Sequence, residues 1–408
     1  MFKNGAIRNV DLWLVAIVLV LCGVGVITIF STLQGSEVFM AKNLHLKQLF
    51  WFGLGLLALG LAAVIPYKVY YVLSPIIYAF SILSLLLIFV GSREQVGANR
   101  WYQLGSFHLQ PAEVVKVATI FIMARYLSSR KMATGGIKPF LPTLLLVGLP
   151  IVLIIRQPDL GTALVFLAIL VAMLYRAGMK LANLFLILSP GLSVVCAFHL
   201  GSWMLFILLL LLMLFLSRPR VLTTAAIFVL NFAVGVVTPI LWRGLHEYQQ
   251  KRILVFLNPG RDPWGAGYQV IQSKVALGSG GFLGKGFLHG TQTQLAFLPA
   301  QHTDFVFSSF GEQFGFLGSL VLLVLLLVLI LRSIKTSYMA RNKFAGLVAM
   351  GSAAVIFFHV FVNVGVSLGI MPVTGLPLPF LSYGGSSLIT NMILIGLVLN
   401  IRYRWQEY

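Results

Sequence analysis

Acidic residues are the scarcest charged residues in this sequence, with 10 Asp and Glu against 29 Lys and Arg among 408 residues. Charged residues together make up 10% of the chain, whereas soluble domains carry about 25%. Hydrophobic residues make up 59%, and the mean hydropathy is +0.97. This composition excludes an ordinary soluble domain and predicts an all-α, polytopic integral membrane protein.

Cysteine is also rare, and the glycine-rich stretch of the chain lacks the GK[ST] ending of a phosphate loop. Cys22 and Cys196 both lie within apolar runs, so neither a disulfide framework nor a thiolate metal site is expected. A Walker loop is excluded by the missing GK[ST]. The net charge of +19 does not predict a nucleic-acid partner, because the bases lie in short loops between apolar runs.

Apolar runs fill most of the chain, and twelve of them approach the length of about 20 residues that a membrane-spanning helix needs. They predict one polytopic bundle over residues 1–408, with a large loop at about 243–311. The first run is too long for the hydrophobic part of a cleaved signal and is expected to remain as a span. The predicted spans are 12–33, 47–65, 72–91, 112–127, 140–155, 160–175, 181–199, 203–217, 222–242, 312–332, 345–366 and 387–401.

The basic residues are concentrated in every second loop, counted from Met1. The positive-inside rule then predicts that both termini are cytoplasmic and that the 243–311 loop is extracytoplasmic. Most of the acidic residues, including Asp304, fall on the outer side. Acidic residues are costly in membrane proteins unless they are paired or functional, so a functional site is expected on the outer face.

A first polar cluster begins at Arg100 and Trp101 and continues through Gln110 to Lys116. Pro111 suits the first turn of a helix, and Glu113 and Lys116 are then spaced to pair on one helical face. One interpretation is a structural ion pair at a helix end, with the tryptophan as an interfacial anchor. The other makes the arginine and the lysine cations for a phosphate group. Further along, Asp159 is predicted to cap the next helix.

The large loop holds a run of glycines and ends on the sequence His302-Thr303-Asp304. The glycines at 278, 280, 281, 284 and 286 predict either backbone contacts with an anion or plain turns. Asp304 precedes an apolar stretch, where a carboxylate would gain proton affinity and suit a general base. The alternative is that Asp304 is the N-cap of the next helix.

A third irregular stretch runs from Asn363 to Ser387 and contains GIMPVTGLPLPFLSYGGSS. Its prolines and paired glycines exclude a regular helix. Irregular backbone at membrane depth is tolerated where it is buried in protein or lines a wet cavity. A re-entrant loop bordering a site is therefore preferred over a rigid connector, with Asn363, Ser382, Tyr383 and Ser386 as candidate substrate contacts.

Five motifs in this order make the sequence similar to the SEDS family of shape, elongation, division and sporulation proteins. They are ANRWYQLG…LQPAEVVK, RQPDLGTA, GAGYQVIQSKVALGSGG, GKGFLHGTQTQLAFLPAQHTDFVF and GLPLPFLSYGGSS. The HGTQ…LAFLP segment resembles the elongation (RodA) branch more than the division (FtsW) branch. Ala300 and Ala112 depart from the family's usual LPE and QPSE. The family's ten spans imply that 181–217 is an inserted transmembrane hairpin.

The resemblance implies a peptidoglycan glycosyltransferase that polymerises lipid II at the outer face of the bacterial cytoplasmic membrane during elongation. Asp304 matches the family's essential acid, which implies a general base and inversion at the sugar. Arg100, Glu113 and Lys116 match its charged residues, and His302 and Thr303 are candidate headgroup contacts. Mg²⁺ or Mn²⁺ is a candidate cofactor, and no organic cofactor is expected.

The partners implied by the resemblance are lipid II, the lipid-linked glycan, a class B penicillin-binding protein, other elongation-complex membrane proteins and membrane lipids. Two other functions are kept as alternatives. One is a lipid II flippase or transporter, and the other is a membrane scaffold for a transpeptidase. The scaffold requires no carboxylate at Asp304, so substitution of this residue distinguishes it from the enzyme. A flippase predicts essential polar groups at mid-membrane and on both faces, whereas the sequence places them on the outer side.

Overall fold

The computed structural model describes residues 11–33, 43–91, 100–104, 107–129, 140–217, 221–244, 250, 254–256, 258, 260, 262–263, 265, 267–295 and 297–405. The long helices before the large loop are α1 (Leu12–Leu33), α2 (Leu44–Val64), α3 (Tyr67–Gly91), α4 (Pro111–Ser129), α5 (Leu141–Ile155), α6 (Leu160–Arg176), α7 (Leu181–Cys196), α8 (Leu200–Ser217) and α9 (Val221–Gly244). The loop contains α10 (Tyr268–Ser279) and α11 (Thr291–Gln294), and the chain continues through α12 (Val306–Met339), α13 (Lys343–Ser367) and α14 (Gly385–Tyr403).

Each of the twelve predicted spans coincides with one long helix, which confirms the all-α fold class. Eight of these helices are long and apolar enough to cross a membrane, and α5, α6 and α7 are shorter apolar helices. One small element was not predicted from the sequence. Strands β1 (Tyr102–Leu104) and β2 (Phe107–Leu109) form an antiparallel hairpin just before α4.

The helices pack into a main core and a small satellite. Helices α13 and α14 lie in the main core, where most of their residues are buried. Helices α7, α8 and α9 pack around Leu186, Leu210 and Leu214 in a separate cluster. The segment predicted as an inserted hairpin, 181–217, does fold as the helix pair α7–α8. Its status as an insertion stays a prediction.

The large loop is shorter than predicted, because α9 runs to Gly244 and α12 begins at Val306. Residues 306–311, placed in the loop from the sequence, are helical and buried. Their first two side chains, Val306 and Phe307, join the main hydrophobic core. This burial accounts for the start of the helix at Val306, two residues after the predicted catalytic acid Asp304.

The glycine run of the loop packs backbone to backbone against a kink in α12. The kink lies at Gly315, with φ 66° and ψ −165°. Phe316 N–H donates to Gly281 O at 2.9 Å, and Lys285 N–H donates to Glu312 O at 3.0 Å. A Cβ atom on Gly284 would clash with the Gln313 carbonyl. The glycines therefore allow the loop to approach the helix closely, which neither sequence interpretation anticipated.

The Glu312 carboxylate on α12 also binds this loop. Its side chain is fully buried, and it accepts hydrogen bonds from Gln292 N at 2.9 Å and Thr293 N at 3.0 Å. It also pairs with Lys285 Nζ at 3.0 Å. Backbone N–H groups at the start of a short helix favour such an anion. Glu312 therefore joins α11 and the glycine turn to α12.

We expect Glu312→Ala to lower the thermal unfolding midpoint of the detergent-solubilised chain and to expose the loop to limited proteolysis. Two buried backbone N–H groups would lose their acceptor, at a cost of roughly 1–3 kcal/mol each. Lys285→Gln is the matched control, because the Lys285 side chain is 26% exposed and a solvated ion pair stabilises little. An equal or larger loss in Lys285→Gln would contradict this account.

Candidate functional site

The candidate site is built where several helix ends meet on one side of the bundle. Helices α4, α6, α12 and α14 begin there, and α13 ends there. Gln110 N–H, just before α4, donates to Ser386 Oγ at 3.2 Å. The Gln110 side chain donates to Asp159 Oδ2 at 3.3 Å. Residues far apart in the sequence are thus brought to one place, among them Gln110 and Ser386, which the sequence offered as candidate substrate contacts.

Glu113 and Lys116 form the predicted ion pair, with 2.8 Å between Oε1 and Nζ. Both side chains are buried, at 4% and 1% exposure, so the lysine lies beneath the site rather than on its surface. This supports the interpretation of a structural ion pair. A direct contact between Lys116 and a substrate phosphate is not formed in this arrangement, because the ammonium group is enclosed by protein.

A buried histidine that the sequence analysis did not single out completes this network. His359 Nε2 lies 3.1 Å from Lys116 Nζ, and His359 Nδ1 lies 3.1 Å from the Pro377 carbonyl oxygen. An ammonium group only donates and a carbonyl only accepts. The imidazole is therefore neutral, with its proton on Nδ1. It couples the Glu113–Lys116 pair to the irregular stretch between α13 and α14.

Arg100 is fixed against the turn that precedes α6. Its Nε donates to Gln157 O at 3.0 Å, Nη2 donates to Pro158 O, and Nη1 lies 4.0 Å from Asp159 Oδ2. The Arg100 side chain keeps 26% exposure, and the neighbouring Trp101 is 41% exposed. Arg100 is therefore a positioned cation that still reaches solvent.

Asp159 is the N-cap of α6, as predicted. Its Oδ1 accepts from Thr162 N at 3.1 Å, and its Oδ2 accepts from Thr162 Oγ1 at 2.9 Å. Helix α6 also touches the irregular stretch, because a Cβ atom on Gly161 would lie 2.6 Å from Thr374 O. The arginine side of the site and the 368–384 stretch are thus in direct contact.

Asp304 lies half-buried in the last turn before α12. The N-cap of α12 is Phe305, without a side-chain capping bond, so the alternative that Asp304 is the N-cap is wrong. Asn363 Nδ2 donates to Asp304 O at 3.0 Å and to Leu376 O at 2.9 Å. A Cβ atom on Gly375 would lie 3.9 Å from Asp304 Oδ2. The carboxylate therefore borders the irregular stretch.

The irregular stretch is shorter than the predicted 363–387, because α13 continues to Ser367 and α14 begins at Gly385. Residues 368–384 are non-helical, and several of their apolar side chains are buried. Two further bonds tie it to the predicted headgroup residues. Ser382 Oγ donates to Thr303 O at 2.6 Å, and Tyr383 N donates to His302 O at 2.8 Å. Gln48 from α2, which the sequence analysis did not single out, donates to Ser382 O at 3.3 Å.

The His302 ring faces the Tyr383 ring edge to face, with 6.1 Å between their centroids. Burial lowers the pKa of His302 and raises the pKa of the Tyr383 phenol. Near neutral pH both side chains are therefore uncharged. They can exchange hydrogen bonds with a sugar or peptide group, but His302 does not supply a positive charge.

The predicted site residues thus fall into three connected groups. Arg100 and Trp101 lie on the α6 side, and the Glu113–Lys116 pair lies beneath the irregular stretch. The third group surrounds the predicted base and consists of His302, Thr303, Asp304, Asn363, Ser382 and Tyr383. The two remaining residues, Gln110 and Ser386, bond to each other, and Gln110 also bonds to Asp159 beside Arg100. His359 was missed, although it lies four residues before Asn363 on the same helix. Polar residues at that spacing within an apolar span are a signal for a buried site.

No group of three or more His, Cys, Asp or Glu side chains suited to a metal occurs among the described residues. Mg²⁺ is commonly held by one or two carboxylates together with substrate phosphates and water. The Asp304 carboxylate borders the site, and a bound substrate would supply the phosphates. A divalent cation therefore stays a prediction that depends on the substrate.

The sequence and the fold were compared with known proteins. The model of the FtsW/RodA/SpoVE cell cycle protein family matches residues 11–199 and 183–407. The peptidoglycan glycosyltransferase MrdB of Escherichia coli K12 is 38% identical over 85% of this chain and 82% of its own length. The peptidoglycan glycosyltransferase RodA of Treponema pallidum is 34% identical over 98% of both chains.

Two solved structures share the fold. One is a chain of a peptidoglycan synthase complex that coordinates polymerization and crosslinking, with a TM-score of 0.72 and 31% identity over 98% of this chain and 99% of that chain. The other is the rod shape determining protein RodA of Thermus thermophilus, with a TM-score of 0.64 and 27% identity over 98% of both chains. The chain therefore belongs to the FtsW/RodA/SpoVE family, the SEDS proteins.

Proposed function

We propose that this chain polymerises lipid II into glycan strands during cell elongation, with Asp304 as the general base. The enzyme class follows from the family, because the relatives in Escherichia coli and Treponema pallidum are peptidoglycan glycosyltransferases. The observation that carries the assignment of Asp304 is its position. It is a half-buried carboxylate whose backbone is held by Asn363 at the meeting point of the helix ends.

In the proposed reaction, a hydroxyl group of the acceptor sugar attacks the anomeric carbon of a donor that carries a polyprenyl pyrophosphate. Asp304 takes the hydroxyl proton as the new carbon–oxygen bond forms. The bond to the pyrophosphate breaks, and its electron pair leaves with the phosphate oxygen. General-base help of this kind contributes about 10²–10⁴-fold, and one direct displacement inverts the anomeric carbon.

The leaving pyrophosphate gains negative charge and needs fixed cations. Arg100 supports this role, because its guanidinium group is oriented by Gln157 and Pro158 and stays partly exposed. Lys116 is buried, so we assign it to holding the irregular stretch rather than to touching the phosphates. A Mg²⁺ or Mn²⁺ ion, if held by the substrate phosphates, would supply Lewis-acid stabilisation of the leaving group.

The remaining predicted contacts are assigned to the sugar and peptide parts of the substrate. His302, Thr303 and Tyr383 offer uncharged polar groups next to Asp304. Trp101 presents an exposed ring on the arginine side. Gln110 N–H donates to Ser386 Oγ, so these two residues join α4 to α14 in the wall of the site. The polyprenyl tails would lie between helices, in lipid.

The proposed setting is the bacterial cytoplasmic membrane, with both termini in the cytoplasm and the site facing outward. The distribution of basic residues supports this orientation. The proposed partner is a class B penicillin-binding protein, because a peptidoglycan synthase complex contains a chain of the same fold. Other membrane proteins of the elongation machinery are further proposed partners.

We expect Asp304→Asn to reduce lipid II polymerisation by the purified chain at least a hundredfold, because the amide cannot accept the proton. Glycan products would be measured on gels, with and without the cognate transpeptidase. Asp262→Asn is the matched control, since Asp262 lies in the same loop and its Oδ1 accepts from Gly265 N at 3.0 Å, a bond an amide oxygen can keep. Wild-type polymerisation by Asp304→Asn would overturn the assignment of Asp304 as the general base.

We propose that His359 positions Lys116 and the irregular stretch. The variants His359→Gln and His359→Leu distinguish this role from a purely structural one. Glutamine can still accept from Lys116 and donate to Pro377, whereas leucine leaves a buried ammonium with one acceptor fewer. A lost partner of this kind costs roughly 1–3 kcal/mol. We expect kcat to fall tenfold or more in the leucine variant and to recover in the glutamine variant. Equal kcat values in the two folded variants would refute this role.

A further inference from the structure

A polar cavity lies at the opposite end of the bundle from Asp304. It has a volume of about 600 Å³ and opens between the start of α3, the end of α4 and the turn between α12 and α13. Nothing in the proposed glycosyl transfer uses it. Its lining residues are Tyr67, Lys68, Tyr71, Val72, Ser128, Ser129, Arg341, Asn342, Lys343 and Phe344.

The charge of this cavity is positive. Lys68, Arg341 and Lys343 contribute cations, and no carboxylate is found among the described residues that line it. A fourth cation, Arg125, contacts the lining residue Tyr71. Its Nη1 donates to Tyr71 O at 3.0 Å, and its guanidinium group lies 5.0 Å from the Tyr71 ring centre. The Ser128 and Ser129 hydroxyl groups donate to the Arg125 and Tyr126 carbonyls, so donors to a ligand would come from the basic side chains. This combination suits a phosphate group.

The walls of the cavity are held in place before any ligand binds. The Tyr71 ring meets the Phe344 ring edge to face at 5.2 Å. Asn342 caps α13 through Phe344 N at 3.0 Å and Ala345 N at 3.3 Å, which fixes the turn that carries Arg341 and Lys343. A preformed site loses less conformational entropy on binding.

An apolar stripe leads away from the cavity along the outside of α3. Val72, which lines the cavity, is 64% exposed, and Ile76 and Phe80 are 54% and 68% exposed. Residues four apart on a helix lie on one face. The stripe therefore runs from the cations along the length of the helix, as a hydrocarbon chain attached to a phosphate would. A free phosphate ion has no hydrocarbon part that could contact this stripe.

We propose that this cavity binds the headgroup of an anionic phospholipid, with an acyl chain on the Val72–Ile76–Phe80 stripe. Basic pockets between transmembrane helices are suited to lipid phosphates. The site is separate from the polymerising site, so the inference does not depend on the proposed function. The bound lipid would fix α3, α4 and the α12–α13 turn relative to one another.

The test uses the purified full chain in a nonionic detergent. Phosphatidylglycerol, phosphatidylcholine with the same acyl chains, and inorganic phosphate are titrated separately, and the thermal unfolding midpoint is measured. A ligand that binds only the folded state raises this midpoint with concentration. The variants are Arg341→Gln, Lys343→Gln and both together. Lys335→Gln is the matched control, because it removes an exposed cation on α12 that does not line the cavity.

We expect phosphatidylglycerol alone to raise the midpoint of the wild type and of Lys335→Gln. Each cavity variant should bind it about fivefold more weakly, and the double variant about 25-fold, given the usual contribution of one base near anionic lipid. The proposal is overturned if inorganic phosphate or phosphatidylcholine stabilises equally, if Lys335→Gln loses as much affinity, or if the double variant binds like the wild type.

Discussion

The site depends on one constraint, which is that irregular backbone inside a membrane bundle must find hydrogen bonds within the protein. The stretch from 368 to 384 breaks the helical pattern between α13 and α14. Asn363 and His359 supply bonds to it from α13, and Ser382 and Gln48 supply others. Because Asn363 also bonds to the Asp304 backbone, the same contacts that stabilise the stretch fix the carboxylate.

This arrangement separates the cations by task. Lys116 is enclosed and neutralised by Glu113, which is favourable only when the buried charge has close partners. Arg100 instead stays partly exposed against backbone carbonyls, where it can face a charged group. The glycine turn and the Glu312 carboxylate form a third support, because they attach the loop before Asp304 to the kinked start of α12.

The two ends of the bundle differ in the side chains that they bring together. At one end, polar side chains converge on helix termini and on the irregular stretch. At the other end, cations line a cavity that continues into an exposed apolar stripe on α3. An excess of bases follows from membrane topology alone, but topology does not gather them around a walled cavity. The contact between the Tyr71 and Phe344 rings joins α3 to the start of α13 at this cavity.

The sequence by itself determined the helices, because apolar runs of this length have one stable form in lipid. Each of the twelve predicted spans overlaps one helix, and eight of these helices are long and apolar enough to cross a membrane. It also determined the Glu113–Lys116 pair and the Asp159 cap, which depend on local spacing. Only the tertiary structure decided that His359 meets Lys116, that Lys116 is enclosed, and that the glycines dock on α12. Those contacts join segments far apart in the chain, and helical periodicity carries no information about which distant faces meet.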